Sequence, residues 1–440
     1  MSKEKNQTRR DFLQSGLVGG ALACTIPSFL AATMNELRAA ATGTVSTASG
    51  KDGPILVVLQ LSGGNDGLNA LVPYENDEYY RARPRLAITR KECHALNDAF
   101  GWHPGLKGLH ELYSGGDLSV IHGVGYPNPN RSHFRSMEIW HTASDADRYE
   151  QHGWIGRYFD NECAGEDAGV AVCLDRESPQ AFMGSTPKGI TFKDPQQYRF
   201  VGADGDQMSA EAESTLFATM NRNESNSGAS IAALGGNRGN SAAENPLDFL
   251  ERTALDAQVS SDRVRKILQS GRTPAGYPNN RLANDLKTVS KMITGGMPTR
   301  IYYVSQGGYD THTNQKGAHE RLLTEFGDSL SAFVKDLRAQ GNLDRVLVMV
   351  FSEFGRRVAE NASGGTDHGA AAPMFLAGGN AKAGLQGQLP SLAPGDLLRG
   401  DLKFNVDFRS VYATILERHL RVPSAQALRK QFPVLDIIQA

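Results

Sequence analysis

The chain has 440 residues, 40% of them hydrophobic, and a formal net charge of −2. That length buries one large core or two modest ones. So balanced a charge argues against a nucleic-acid binder or a polybasic membrane-surface protein.

The N-terminus reads Thr8-Arg9-Arg10-Asp11-Phe12-Leu13, ahead of a weakly apolar Gly/Ala-rich stretch over residues 15–32. Adjacent arginines before a modest apolar region form a twin-arginine export signal. Ala39-Ala40-Ala41 offers a small-residue cleavage site, whereas Ala21-Leu22-Ala23-Cys24 is a poor lipoprotein box. No other run approaches the roughly 18 apolar residues of a membrane span. The reading predicts a signal peptide over 1–41, a flexible tail over 42–53 and a single domain over 54–440, periplasmic or secreted. The twin-arginine export machinery is then a partner, and no nucleic acid is. Such proteins fold before crossing, often with a cofactor or metal loaded beforehand. Cys93, Cys163 and Cys173 remain after cleavage, an odd number that cannot all pair internally. Cys163 and Cys173 are spaced to close a small loop in an oxidising compartment.

Residues 54–62 (PILVVLQLS) are a nearly continuous apolar run, the pattern of a strand buried on both faces. They end in Gly63-Gly64-Asn65-Asp66-Gly67. Helical spacing over 106–114 precedes a second strand at 118–124, a loop, and a helix over about 133–142. Another strand falls at 169–174. Residues 202–245, rich in Ser, Asn, Ala, Glu and Gly, read as a surface insertion. Helical periodicity returns at 246–271 and 279–295, followed by a strand at 299–306 and the turn Gly307-Gly308-Tyr309-Asp310. A long amphipathic helix at 318–339, strands at 345–351 and 373–376, and a helix at 408–420 complete the chain. This alternation predicts an α/β fold with a mostly parallel central sheet and helices on both faces. Glycine-rich polar segments repeatedly follow the strands, so they gather along one sheet edge, where ligands bind in such folds.

These segments carry the candidate chemistry. Asp66 follows the first strand, and its flanking glycines let backbone approach a ligand; Asn65-Asp66-Gly67 also suits a plain turn. Ser132 opens a helix, either capping it or, near a metal, acting as a nucleophile whose developing charge the helix N-terminus stabilises. His133, Arg135 and Ser136 follow as further candidates. Asp310 and His312 offer an oxygen and a nitrogen to a metal, the alternative being a helix cap beside a solvent histidine. His319 falls at the start of the next helix. Glu353 ends the strand at 345–351, with Arg356 and Arg357 behind it; an arginine there grips an anion through a bidentate pair or makes a surface salt bridge. Asp367-His368 closes the segment, as metal-binding groups or as a metal-free buried pair. Asp, Glu and His are the residue types that hold divalent metals.

In order, TRRDFL, LSGGNDGLN, YPNPNRSHFRS, GGYDTHTNQ and SEFGRRVAENASGGTDHG resemble a widespread bacterial family of twin-arginine-exported proteins of unknown function. The resemblance spans about 55–432. That family is assigned to the alkaline phosphatase/sulfatase-like superfamily, which implies an alkaline-phosphatase-like domain, here with an insertion near 202–245. It also implies metal at the sheet's carboxyl edge and hydrolysis of phosphate or sulfate esters. Asp66, Asp310, His312, Glu353 and His368 would surround a divalent metal: zinc, manganese or calcium. Ser132 would attack, and Arg131 or Arg356 would orient a small-molecule or glycan-linked anionic ester. Phe354 departs from the superfamily pattern, standing where a ligand histidine is usual. The rival expectation is a non-catalytic periplasmic binding or assembly protein, perhaps with an exported protein partner.

Overall fold

Strand β1 (Ile55–Leu61) is buried along its whole length. Ile55, Val57, Leu59 and Leu61 enter one hydrophobic core, while Leu56 and Val58 enter another. That two-sided burial is what a central strand between helical layers requires. The structure, a computed structural model, describes residues 53–163, 168–185, 189–194, 264–269 and 276–439. The expected signal peptide, the tail as far as residue 52 and the insertion at 202–245 lie outside them.

Short strands β2 (Leu71–Val72), β3 (His94–Ala95) and β4 (Gly101–Trp102) form a small separate sheet. The main sheet adds β5 (Leu118–Gly125), β6 (Ala171–Leu174), β7 (Ile190–Thr191), β8 (Ile301–Gln306) and β9 (Val346–Phe351). It is completed by β12 (Ala372–Gly378), β13 (Gly384–Gln386) and β14 (Val406–Asp407); between β9 and β12 lie β10 (Arg356–Glu360) and β11 (Thr366–His368). The order is β13-β5-β12-β9-β1-β8-β6-β7, with β14 beside β5. β12 runs antiparallel to β5 and β9; the other pairings are parallel.

Helices cover both faces. Helix α1 (Lys107–Ser114), α4 (Arg281–Thr294) and α5 (Gln315–Ala339) send Leu109, Leu286 and Phe326 into the first core. Helix α2 (His133–Thr142), α3 (Trp154–Glu162) and α6 (Phe408–Thr414) send Ile139, Phe159 and Tyr412 into the second. The expected mixed α/β architecture with a mostly parallel sheet is therefore present. No helix among the described residues is long and apolar enough to cross a membrane.

Three features differ from the sequence reading. The segment after β9 is not a plain loop but a hairpin, β10 pairing with β11 and Arg356 standing opposite His368. Helix α3 forms where no element was expected, around the buried Trp154, Ile155, Tyr158 and Phe159. Cys173 is a free thiol, so the Cys163–Cys173 bridge suggested by spacing does not form. Because β1, β5, β8 and β9 run the same way, their carboxyl ends share one edge; the reversed β12 starts from that edge, directly after β11.

Candidate metal centre

The loops leaving β1, β8 and β9 are stitched together by backbone. Gly63 N–H donates to Glu353 Oε1 at 2.8 Å, and Asn65 N–H to Ser352 Oγ at 2.8 Å. Gly63 has φ of +117°, and a Cβ there would lie 2.5 Å from the Asp310 nitrogen. Only glycine lets the two loops meet this closely. Arg356 pins them from below. Its side chain is fully buried, with Nε donating to Gly64 O at 2.7 Å and Nη1 to Thr366 O at 2.8 Å. Its Nη2 donates to Gly63 O, to Tyr309 O at 2.8 Å and to Asp310 Oδ1 at 2.8 Å.

Above that knot, three histidines face one oxygen. Asp310 Oδ1 lies 3.0 Å from His312 Nε2, 3.0 Å from His368 Nε2 and 3.4 Å from His133 Nε2. The two nitrogens of His312 and His368 are 2.9 Å apart. The ligand atoms of His133, Asp310 and His368 all lie within 4.8 Å of one another.

The other ring nitrogens decide what these contacts mean. His133 Nδ1 is 2.9 Å from Glu353 Oε1, His312 Nδ1 is 3.1 Å from Asp367 Oδ1, and His368 Nδ1 is 2.7 Å from the Arg131 carbonyl oxygen. A carbonyl only accepts, and an ionised carboxylate likewise. Each Nδ1 therefore carries the proton, and in a neutral ring each Nε2 presents a lone pair. Three lone pairs and a carboxylate oxygen then converge with one donor among them, Arg356 Nη2. His133 Nε2 is buried without a hydrogen-bond partner. Such crowding of acceptors is repulsive until a cation occupies it. Imidazoles whose far nitrogens are fixed by carboxylates or carbonyls are the usual support of a metal site. A tetrahedral zinc would set neighbouring ligand atoms about 3.3 Å apart, and Asp310 Oδ1 stands 3.0 to 3.4 Å from the three ring nitrogens. The residues present thus fit a divalent metal.

The charges around the centre shift two of its groups. Burial pushes the Asp310 carboxyl upward, but Arg356, hydrogen-bonded to it and positively charged, works against burial, and the group sits well below its ordinary range. The hydrogen bond to Glu353 raises His133 above the ordinary histidine value against the effect of burial. Phe354 forms the floor, its ring centroid 4.9 Å from that of His133 and 4.7 Å from that of His368.

The expected site residues divide. Asp310, His312 and His368 come together, joined by His133. Asp66 does not join them: it is buried, with Arg83 Nη1 at 2.6 Å from Oδ2 and Nη2 at 2.9 Å from Oδ1, and Gln315 Nε2 at 2.5 Å. Its carboxyl is lowered because Arg83 outweighs the cost of burial. Glu353 is fully buried and sits one hydrogen bond behind His133 rather than facing the centre. Arg356 is spent on backbone carbonyls and Asp310, so it has no fork left for a substrate. Arg131 points to Asp401, with Nε 2.8 Å from Oδ2. Ser132 is exposed at the N-terminus of α2 and makes no side-chain capping bond. Asp401 carried no sequence signal, and the part played by Phe354 as a wall could not be read from its position in a motif.

Residues 54–429 match the family described as "Protein of unknown function (DUF1501)", and the chain belongs to that family. No curated protein matches it. Among solved structures it is similar to the lipoteichoic acid synthase LtaP from Listeria monocytogenes, at 10% identity and a TM-score of 0.37, covering 91% of this chain and 80% of that one. It is also similar to the PsFucS1 sulfatase from Pseudoalteromonas sp., at 11% identity and a TM-score of 0.31, covering 84% and 70%. A protein in the alkaline phosphatase superfamily from Vibrio parahaemolyticus matches at 10% identity and a TM-score of 0.32, covering 82% and 71%.

Proposed function

We propose that this family member is an exported, metal-dependent hydrolase of phosphate or sulfate esters. One observation carries the reading: three Nε2 lone pairs and Asp310 Oδ1 converge while every Nδ1 is tied behind. His133, His312, His368 and Asp310 would hold the ion. Three imidazoles and one carboxylate suit zinc or manganese better than calcium, which takes roughly six to eight oxygen ligands. Bound there, the ion supplies Lewis-acid polarisation of a phosphoryl or sulfuryl oxygen.

The substrate class comes from the motif resemblance and from the residues around the centre. Ser132 has an uncommitted hydroxyl, adjoins His133 in the chain and opens a ten-residue helix. In this mechanism its Oγ bonds to phosphorus or sulfur and the alcohol departs with the bridging oxygen. Water then releases the oxyanion and restores the serine. The helix N-terminus favours the charge that develops. The twin-arginine motif supports export to the periplasm or beyond.

Elemental analysis of protein purified from its own export route, with a panel of phosphate and sulfate monoesters, tests the proposal. The expected result is a stoichiometric divalent metal and a turnover that Ser132→Ala abolishes while metal content holds. Protein that binds no metal, or a turnover indifferent to Ser132→Ala, sinks it. A second reading, a non-catalytic binding or assembly protein, is favoured by Phe134 and Tyr149, which are 90% and 78% exposed. Bare aromatics serve well as interface anchors. On that reading Phe134→Ser weakens capture of an exported protein partner and leaves metal content unchanged.

A further inference from the structure

Four arginines pair with the carboxylates of this region, Asp66, Asp310 and Asp401, and they are not equivalent. The Arg83 and Arg356 side chains are fully buried, and each is occupied by a carboxylate and backbone carbonyls. The Arg131 and Arg357 side chains are 39% and 35% exposed and both turn toward one carboxylate, Asp401, whose side chain is 1% exposed. Arg131 donates Nε to Asp401 Oδ2 at 2.8 Å, with Nη2 on the same oxygen. Arg357 donates Nε to Oδ1 at 3.3 Å, with Nη2 on the Arg399 carbonyl. The Nη1 group of each has no partner among the described residues.

The frame behind them is built for this arrangement. Leu398 and Asp401 exchange backbone hydrogen bonds of 2.9 and 3.1 Å, closing a tight turn. Arg399 and Gly400 are both left-handed, with φ of 56° and 89°. A Cβ at Gly400 would lie 2.9 Å from Arg357 Nη2, so the glycine makes room for the guanidinium. Both arms also start beside the histidine centre. The Arg131 carbonyl accepts from His368 Nδ1, and Arg357 follows Arg356, the strand partner of His368.

An ordinary surface salt bridge is one cation to one anion, both exposed. Here a buried carboxylate positions two cations and neutralises one of them. One positive charge is left over, and the two free Nη1 groups offer charged N–H donors to the oxygens of a tetrahedral oxyanion. We propose that Arg131 and Arg357, splayed on Asp401, form a clamp for the phosphate or sulfate group of the ligand at the histidine centre. The assignment of ligand class rests on the hydrolase reading.

Calorimetric titration of the metal-loaded protein with inorganic phosphate and, separately, with sulfate tests the clamp. Wild type binds at least one of them, and the tighter names the oxyanion. Arg131→Ala and Arg357→Ala should each weaken binding about tenfold or more, the loss of one charge-assisted hydrogen bond. Arg357→Lys should recover only part, since one ammonium cannot hold Asp401 and the Arg399 carbonyl and also reach the anion as the planar guanidinium does. Metal content should stay constant, because the His368 contact uses the backbone of Arg131. Arg357→Gln leaves Asp401 paired with Arg131, so it tests the clamp even if Arg131→Ala unfolds the chain. No binding by wild type, or unchanged affinity in the Arg357 variants, overturns the clamp. Failure of the hydrolase reading looks different: the variants lose anion affinity, yet the wild type turns over no ester.

Discussion

Glu353 serves the histidine centre without touching it. Its carboxylate takes the Gly63 N–H and orients His133 through Nδ1. Glu353→Gln keeps the shape but weakens the acceptor, so metal affinity should fall about 10- to 100-fold, as read by competition with a chelator. His133→Ala should abolish binding altogether. Asp66 behaves oppositely. Asp66→Ala strands the buried Arg83 charge and should cost about 3–5 kcal/mol in urea unfolding, with metal stoichiometry of the folded fraction unchanged. A stable Asp66→Ala protein that lost its metal would restore Asp66 as a ligand. Residue spacing could bring Asp66, Asp310, Glu353 and His368 to one sheet edge. It could not say which carboxylates face inward, because that depends on side-chain directions and on the arginines that capture them. Arg83, which captures Asp66, carries no motif at all.

At the level of elements, the long strands were legible because continuous apolar runs have few other uses. β12 was legible as a strand, but its reversed direction was not, since composition does not encode polarity. The β10–β11 hairpin was hidden, because its residues are polar and its tip at 361–365 reads as a loop. Yet this hairpin positions the centre: it sets Arg356 opposite His368 and is preceded by Phe354. The ring of Phe354 is 2% exposed and lies against two of the imidazoles. A phenylalanine that looks like a lost ligand in the motif is a wall beneath two imidazoles. Phe354→Ala should cost about 3–5 kcal/mol through the cavity it opens and should also lower metal affinity, whereas Phe354→Leu should retain most of both. Paired urea unfolding and metal titration would separate the two effects. If Phe354→Ala binds metal as wild type does, the wall plays no part in positioning the imidazoles.

Across the whole molecule, histidines away from the centre make the fold sensitive to acid. Burial lowers His122, His141, His319 and His419 to about 4 and His103 to about 3. The ordinary value is about 6.5. In the unfolded chain these rings take up protons as pH falls below about 6.5, while the folded chain refuses them until near pH 4. Protons bind the unfolded state first, so stability is full above that range and is lost as pH falls through it. Each depressed unit corresponds to about 1.4 kcal/mol. Five such groups therefore oppose folding at pH 4 by an amount comparable with the roughly 5–15 kcal/mol that holds a domain together. Urea midpoints measured from pH 7.5 down to 4.5 should fall continuously, most steeply below pH 6. His419, which bonds the Ile55 carbonyl at 2.9 Å, offers the sharpest control. His419→Gln can replace that bond without a proton to gain, so it should flatten the pH dependence while costing some stability at neutral pH. Midpoints that do not move between pH 7.5 and 4.5 would mean that these rings are solvated or already protonated in the folded chain.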